Sequence, residues 1–364
     1  MRNLVTIWTI TVMGLIVVCA GAASADDGFV NTVSGGSVIL MEKHPTIRMV
    51  GEAVDIKLGA NGVKGGWKWP AFVRCQFLLK NNGPATDATI GFPENLTADG
   101  DPPLPDKIRG FKSWVDDKVV DVKYTPAGKP DHDDGGRRDY DAWYVKEVHF
   151  EAGQTHRIVD VYSSWIGVSG GEGQPSYQNT LTYILCTGSS WRGTIGSAVI
   201  RADLSEAGDF YDITASPKGF TRKGNVLTWK MKDLAPKDDV EIKLTPRVPS
   251  IIDPRTCLPG DLNPVFIKSG VLMVSSALVT YSGGTERWAR GRCTLQKASH
   301  VLVLTAGSKS AVLDGKAIQM KTAPVLAERE SMAVPFEETV NLLGGIVKYD
   351  KNHHPKVVWP HKTH

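Results

Sequence analysis

At 364 residues the chain is long enough for about two domains, each able to bury its own core. Hydrophobic residues make up 41% and charged residues 22%, a balance that excludes a disordered or fibrous chain. The formal net charge is only +3 and no block of Lys or Arg stands out, so the electrostatic footprint of a nucleic-acid binder is missing and nucleic acid is not an expected partner.

The first element is a leader. Arg2 precedes an uncharged apolar run from Leu4 to Val18, followed by Ala23-Ser24-Ala25 and then Asp26-Asp27, which reads as a signal peptide over residues 1–25 cleaved after Ala25. The run is short for a bilayer core of about 30 Å, which argues against an uncleaved anchor. Cys19 does not fit a lipoprotein site, because Val18 stands where a small residue belongs. No later stretch is long and apolar enough to span a membrane, so the expected location is secreted or in the cell envelope. Four cysteines remain after cleavage, Cys75, Cys186, Cys257 and Cys293, in a compartment where disulfides persist. Three connectivities are open. Pairing within each half, Cys75 with Cys186 and Cys257 with Cys293, is preferred from their positions along the chain.

From about residue 36 to 248 short β-prone runs alternate with Gly, Pro, Asn and Asp. Val54 to Leu58, Phe72 to Leu79, Trp143 to Phe150, Arg157 to Trp165, Thr180 to Leu185, Ala198 to Ala202, Val226 to Met231 and Val240 to Leu244 read as strands. Trp114-Val115, Asp116-Asp117 and Lys118-Val119-Val120 read as a tight hairpin. Many short strands without helical periodicity predict an antiparallel β-sandwich over residues 26–248, and the class as a whole is mainly β. Two loops, Gly128 to Asp141 and Gly167 to Ser176, are expected to be exposed. Five prolines between Pro246 and Pro264 mark a stiff connector, placed at 249–263.

Residues 264–359 contain a segment written twice. Pro264-Val265, Leu272-Met273-Val274, Gly283-Gly284 and Trp288 recur as Pro324-Val325, Met332-Ala333-Val334, Gly344-Gly345 and Tyr349. In the second copy Pro335, two acids, apolar residues at Phe336, Val340 and Leu343, and a terminal Gly predict a short helix between strands Met332 to Val334 and Ile346 to Tyr349. The first copy should match it through Ser275 to Ser282. Between the copies, Val301 to Thr305 and Ser310 to Ile318 read as a hairpin turning at Asp314-Gly315, a pair suited to a type I′ turn. The expectation is a small C-terminal α+β domain made of two strand-helix-strand repeats, ending in a tail at 360–364.

These residues resemble a known family. Ala311-Val312-Leu313-Asp314-Gly315-Lys316, Ala323-Pro324-Val325, Met332-Ala333-Val334-Pro335-Phe336 and Leu343-Gly344-Gly345-Ile346-Val347-Lys348-Tyr349-Asp350 are similar to the copper amine oxidase N-terminal-like "stalk" domain of bacterial secreted and envelope proteins, over about residues 262–359. Upstream, Asn81-Asn82-Gly83-Pro84-Ala85 leading to Ile90-Gly91-Phe92-Pro93-Glu94 is similar to a family of uncharacterised secreted bacterial β-domains. The stalk resemblance implies an accessory module. Amine oxidase activity is not implied, since the copper chemistry of those oxidases resides in a separate large domain that nothing here resembles, and no cofactor is expected.

Chemistry-bearing patterns are few. The GxSxG signature is absent, and Gly188-Ser189-Ser190-Trp191-Arg192-Gly193 reads as a turn between strands. Asp131, Asp133, Asp134 and Asp139 are candidate calcium ligands, although Gly135 stands where a third acid would fall. His353, His354, His361 and His364 crowd the C-terminus without an evident scaffold to fix their geometry. Glu147, Glu151 and Asp160 are acids on predicted strands that a glycosidase would need paired. Trp67, Trp69, Trp114, Trp143, Tyr144 and Trp165 could stack on sugar rings or fill the core. Trp67 and Trp69, between Gly65-Gly66 and Pro70, are the candidate ligand-binding residues. The sequence thus points to a non-catalytic binding or structural protein of the envelope, with cell-wall glycan or another envelope protein as partner. A hydrolase of glycans or peptides is the alternative.

Overall fold

The computed structural model describes residues 23–25, 27–32, 38–40, 43–59, 69–94, 108–126, 140, 142–169, 178–247, 250–251, 266–289, 291–326, 332–351 and 354–360. The chain is mainly β, and its scaffold is an eight-stranded sheet. In order across it run Thr221–Lys223, Val226–Leu234, Ile195–Asp203, Ile47–Leu58, Pro70–Asn81, Thr155–Trp165, Ile108–Val115 and Lys118–Val120. Pro70–Asn81 shows why it holds a central place: Ala71, Val73, Cys75, Phe77 and Leu79 are buried, while Phe72, Arg74 and Lys80 between them are exposed. That alternation puts one face in the core and leaves the other in solvent.

The buried face is covered by two smaller sheets. One carries Gln178–Ile184, Val240–Pro246 and Tyr211–Ser216; the other carries Gly28–Thr32, Thr86–Glu94, Ala142–Phe150 and Lys123–Pro126. Aromatic contacts bridge the layers: Phe92 meets Tyr162 edge-on at 5.1 Å, and Trp69 meets Tyr211 at 5.4 Å. The sandwich departs from the all-antiparallel expectation in two pairs, the short Ala23–Ala25 beside Gln178–Ile184 in the covering layer and a longer one in the central sheet. Ile195–Asp203 runs parallel to Ile47–Leu58, with Ile200 opposite Val54. Most of the covering layer lies between these two strands in sequence, and so long a connection lets neighbours point the same way.

Polar ties also cross the core. The Lys146 ammonium, fully buried on Ala142–Phe150, lies 2.6 Å from Asp160 of the opposing sheet and 3.0 Å from Asp27. Asp27 also accepts a hydrogen bond at its backbone oxygen from the Trp191 indole, 2.9 Å. Burial opposes the Lys146 charge, but the two carboxylates outweigh it and raise its pKa. Burial and the Asp160 charge together push the Asp27 carboxyl well above its ordinary value. One cation balances one carboxylate, and the second is held protonated. In the same layer boundary the Tyr183 hydroxyl donates to Glu52 at 2.8 Å.

Among the described residues no disulfide is formed. Cys75 faces the core from the middle of Pro70–Asn81, opposite Val54 and Asp160. Cys186 opens a 3-10 turn, Cys186–Ser190, at the end of a strand in the covering layer, where its amide donates to Asp239. The expected Cys75–Cys186 bridge is therefore not made. Cys293 is a buried thiol that donates to Glu286 at 3.4 Å, and burial followed by the Glu286 charge pushes its pKa up. Its expected partner Cys257 lies outside the described residues.

The C-terminal unit contains the duplication. The first strand of each copy, Val271–Ser275 and Met332–Pro335, pair antiparallel with Val274 opposite Val334. Each leads into a helix, α1 (Leu278–Tyr281) and α2 (Phe336–Leu342), and then into Thr285–Ala289 or Ile346–Tyr349. Both helices end in the same hydrogen-bonded cap: Gly344 N–H to Asn341 and Gly345 N–H to Val340 in one, Gly283 N–H to Thr280 and Gly284 N–H to Val279 in the other. The first glycine has positive φ, +79° and +80°. The second admits no side chain, since a Cβ would lie 2.4 Å from the Gln296 carbonyl at Gly284 and 2.7 Å from Trp359 and Val340 at Gly345. The first helix is a single turn, because Ser275 replaces Pro335 and its hydroxyl accepts from Ala277 N–H instead. A five-stranded meander begins with the closing strand of the first copy, Thr285–Ala289, and runs on through four more strands to Lys316–Gln319 before the second copy. Asp314-Gly315 turns its last hairpin with both φ positive, and Asp116-Asp117 turns Ile108–Val115 into Lys118–Val120.

Replacing Lys146 by Met should cost about 3–5 kcal/mol, because the buried carboxylate that balances it loses its cation. Adding Asp27→Asn and Asp160→Asn to Lys146→Met should restore part of that loss in urea unfolding. A loss below about 1 kcal/mol for Lys146→Met would contradict the buried triad.

Candidate functional site on the open sheet face

Because the inner face of the eight-stranded sheet is saturated, its outer face is where the sandwich meets solvent. A shallow groove of about 420 Å³ crosses it, lined by Asp55, Lys57, Phe72, Arg74, Arg109 and Ser163 among others. The register makes this a row. Lys57 is opposite Phe72, Phe72 opposite Ser163, and Ser163 opposite Arg109; one step along, Asp55 is opposite Arg74 and Arg74 opposite Val161. Adjacent strands lie about 4.8 Å apart, so Lys57 and Arg109 stand roughly 14 Å apart across the sheet.

Two backbone devices build the row. The pairing with Thr155–Trp165 slips by one residue between Arg109 and Lys112, where Gly110 takes φ of +63°. Residues three apart on a regular strand face opposite ways; this bulge turns Arg109 and Lys112 to the same side, and both are exposed. Phe72 is 53% exposed, and its ring rests against the backbone of Gly59. A Cβ at Gly59 would lie 2.8 Å from that ring. The Arg109 guanidinium lies 5.4 Å from the centre of the Trp165 ring, and among the described residues Lys57, Arg74 and Lys112 have no ion-pair partner. The groove therefore offers an apolar ring flanked by uncompensated cations and one carboxylate.

The candidates read from the sequence lie elsewhere. Trp69 is only 1% exposed and packs on Tyr211, so it is a core residue and not a ligand platform. Pro70 does not end a turn there but starts a strand, a position proline tolerates. Trp67 and the four acids Asp131, Asp133, Asp134 and Asp139 lie outside the described residues, as do His353, His361 and His364. His354 contacts Asp212 at 3.4 Å and Asp350 at 3.7 Å. Among the described residues no group of three or more metal-ligating side chains gathers. Asp160 is sealed beside Lys146, Glu147 binds the Thr89 hydroxyl at the surface, and Glu151 sits on an exposed turn, so these acids form no pair across a cleft. Ser190 donates to the Thr187 carbonyl within the 3-10 turn. Trp143 is buried, whereas Trp114, Tyr144 and Trp165 are half-buried. Sequence reasoning missed Phe72, Arg74 and Arg109. The period-2 pattern of Phe72 to Leu79 contains the signal for the first two, while Arg109 depends on a bulge that no short pattern announces.

A second cavity of about 470 Å³ lies where Phe210 of the sandwich approaches α2, with Val271, Leu272, Glu337 and Tyr349 in its wall. Its acids are engaged: Tyr349 donates its hydroxyl to Glu337, and Glu338 accepts from the Lys321 amide at 2.7 Å. This half of the molecule, with paired repeats and identical glycine caps, has a recognised counterpart. Residues 237–357 match the copper amine oxidase N-terminal domain. The match begins upstream of the duplicated segment and takes in Val240–Pro246, the strand that joins the covering sheet. No curated protein sequence matches the chain. Among solved structures, a provisionally named nutrient binding protein of Legionella pneumophila is similar at 18% identity over 62% of this chain and 71% of that one, with a TM-score of 0.47. An M1 zinc metallopeptidase of Deinococcus radiodurans is similar at 7% identity over 57% of this chain and 44% of that one, with a TM-score of 0.27. No helix among the described residues is long and apolar enough to cross a membrane.

Two expectations test this geometry. Gly110→Ala should lower stability by about 1–2 kcal/mol, since an L side chain is disfavoured at that φ, as measured by urea unfolding. Burial lifts the Glu52 carboxyl to about 7 against the hydrogen bond from Tyr183. Its neutral form therefore stabilises the fold fully below the ordinary value of 4.5, and that contribution is lost as pH rises through about 7. Glu52→Gln keeps an acceptor for Tyr183 but cannot ionise. Between pH 5 and pH 8 the wild type should lose stability relative to this variant by on the order of 3 kcal/mol. Parallel stability profiles for the two proteins would refute the assignment.

Proposed function

We propose that the protein is a secreted or envelope-associated binding protein that works without catalysis, displaying the outer face of its eight-stranded sheet to cell-wall glycan. The observation that carries this reading is the open groove itself, a row of ligand-ready side chains held on rigid strands. Its walls hold a ring, cations and a hydroxyl, a composition suited to holding a ligand. The strongly perturbed acids, Asp27 and Glu52, are sealed inside the sandwich, where no substrate reaches them.

Location is inferred from the leader pattern, Arg2 with the apolar run to Val18 and Ala23-Ser24-Ala25. Asp27 lies beyond the proposed cleavage site, so the Lys146 triad survives processing. The copper amine oxidase N-terminal-like unit fits an accessory role, spacing the sandwich from whatever it is anchored to. Another envelope protein is the remaining partner class.

Purified protein mixed with isolated cell-wall sacculi should pellet with them and release no soluble sugar or peptide. Release of fragments would make the protein a hydrolase. Failure to pellet would remove wall glycan as its ligand.

A further inference from the structure

We infer that the groove selects an acidic glycan, a sugar polymer bearing carboxylate or phosphate groups, bound along the row from Lys57 to Arg109. The inference rests on the binding reading above and adds the ligand's charge class. Three observations carry it. First, the charge is one-sided: Lys57, Arg74 and Arg109 line the groove against the single carboxylate of Asp55, and Lys112 stands beside them. Lys57 and Arg74 have no ion-pair partner among the described residues, so an anion can meet them without displacing an existing bond. Other arginines of the same sheet are paired, Arg201 with Asp203 at 3.0 Å and Arg157 with Asp117, whereas lysines such as Lys80 and Lys232 stand alone among the described residues outside the groove, so it is the gathering of cations around one ring that sets the groove apart.

Second, the row is shaped for a ring-bearing chain. Phe72 stands between Lys57 and Ser163, its ring fixed against Gly59, and presents a flat apolar surface between charged neighbours. A span of roughly 14 Å with one aromatic and alternating polar groups suits an extended oligomer and not a small ion. Third, the Gly110 bulge is what brings Arg109 into the row, and bulges commonly re-aim a side chain next to a functional site.

The same ingredients, cations beside an exposed aromatic, also serve single-stranded nucleic acid. Asp55 and Ser163 decide between them. Asp55, directly opposite Arg74, can accept hydrogen bonds from the free hydroxyls of a sugar ring, which a deoxyribose-phosphate chain lacks, and the Ser163 hydroxyl adds a further polar contact. The ligand's acid groups go to Arg74 and Arg109, its hydroxyls to Asp55 and Ser163, and one ring face to Phe72.

Affinity electrophoresis of the full chain in gels containing polygalacturonate, neutral dextran or a single-stranded oligonucleotide tests this. Polygalacturonate should retard the protein, and dextran and the oligonucleotide should not. Retardation should weaken as salt rises from 50 to 300 mM, because exposed charge pairs are screened. Arg74→Gln with Arg109→Gln should weaken it at least tenfold, Phe72→Ala at least fivefold, and Lys232→Gln, outside the groove, should leave it unchanged. Thermal unfolding of each variant shows that the fold is intact. Equal retardation by dextran, equal retardation by the oligonucleotide, or undiminished binding by the folded double variant would each overturn the inference. Pelleting with sacculi but no retardation by polygalacturonate would overturn it too, while leaving the binding reading standing. Retardation without pelleting would remove wall glycan as the ligand and keep the acidic-glycan site.

Discussion

The Lys146 ammonium, held between Asp27 and Asp160 with no solvent, fixes how the two layers of the sandwich meet. Apolar packing alone tolerates small slides of one sheet over another, because dispersion and burial are nearly indifferent to register. A buried charge is not indifferent: displacing it by one residue would leave an uncompensated ion in the core. Lys146 and Asp160 lie on consecutive strands that enter different sheets, and Asp27 comes from 119 residues upstream of Lys146, so the triad forms only when the N-terminal strand region, the covering sheet and the central sheet are all in place. Glu52 with Tyr183 repeats the device between the central sheet and the other covering sheet.

That inner commitment determines what the outer face can do. A strand presents alternate residues to each side, so every side chain that locks the core leaves a neighbour pointing into solvent. On Pro70–Asn81 and Thr155–Trp165 those neighbours include Phe72, Arg74, Ser163 and Trp165. Their positions are inherited from a rigid core rather than from a loop, and rigid placement limits the ordering cost of binding a ligand. The one irregularity in the face, the bulge at Gly110, adds Arg109 to it.

The C-terminal unit uses a different economy. Two copies of one strand-helix-strand pattern pair through their first strands, and each copy turns at a Gly-Gly pair whose members have separate jobs. The first glycine adopts the left-handed conformation that closes the helix, and the second lets another chain segment approach its backbone. The copies are not equal. The first helix has shrunk to one turn where Ser275 stands in place of proline, and the meander following it supplies Gln296 to close against Gly284.

The sequence alone settled the features governed by neighbours along the chain. Period-2 patterns located the long strands, the Asp116-Asp117 and Asp314-Gly315 pairs located two hairpin turns, and the acid-rich start and Gly-Gly end located α2, because each depends on local backbone preference. Only the tertiary structure decided matters that depend on which strands become neighbours. Ile195–Asp203 lies parallel to Ile47–Leu58, Cys75 and Cys186 stay in separate layers unbridged, and Trp69 enters the core because Tyr211 arrives to pack on it. The groove belongs to this second kind: Lys57, Phe72, Arg74 and Arg109 come from three separate strands, and their convergence follows from strand order and one bulge, neither of which is encoded within any single short stretch.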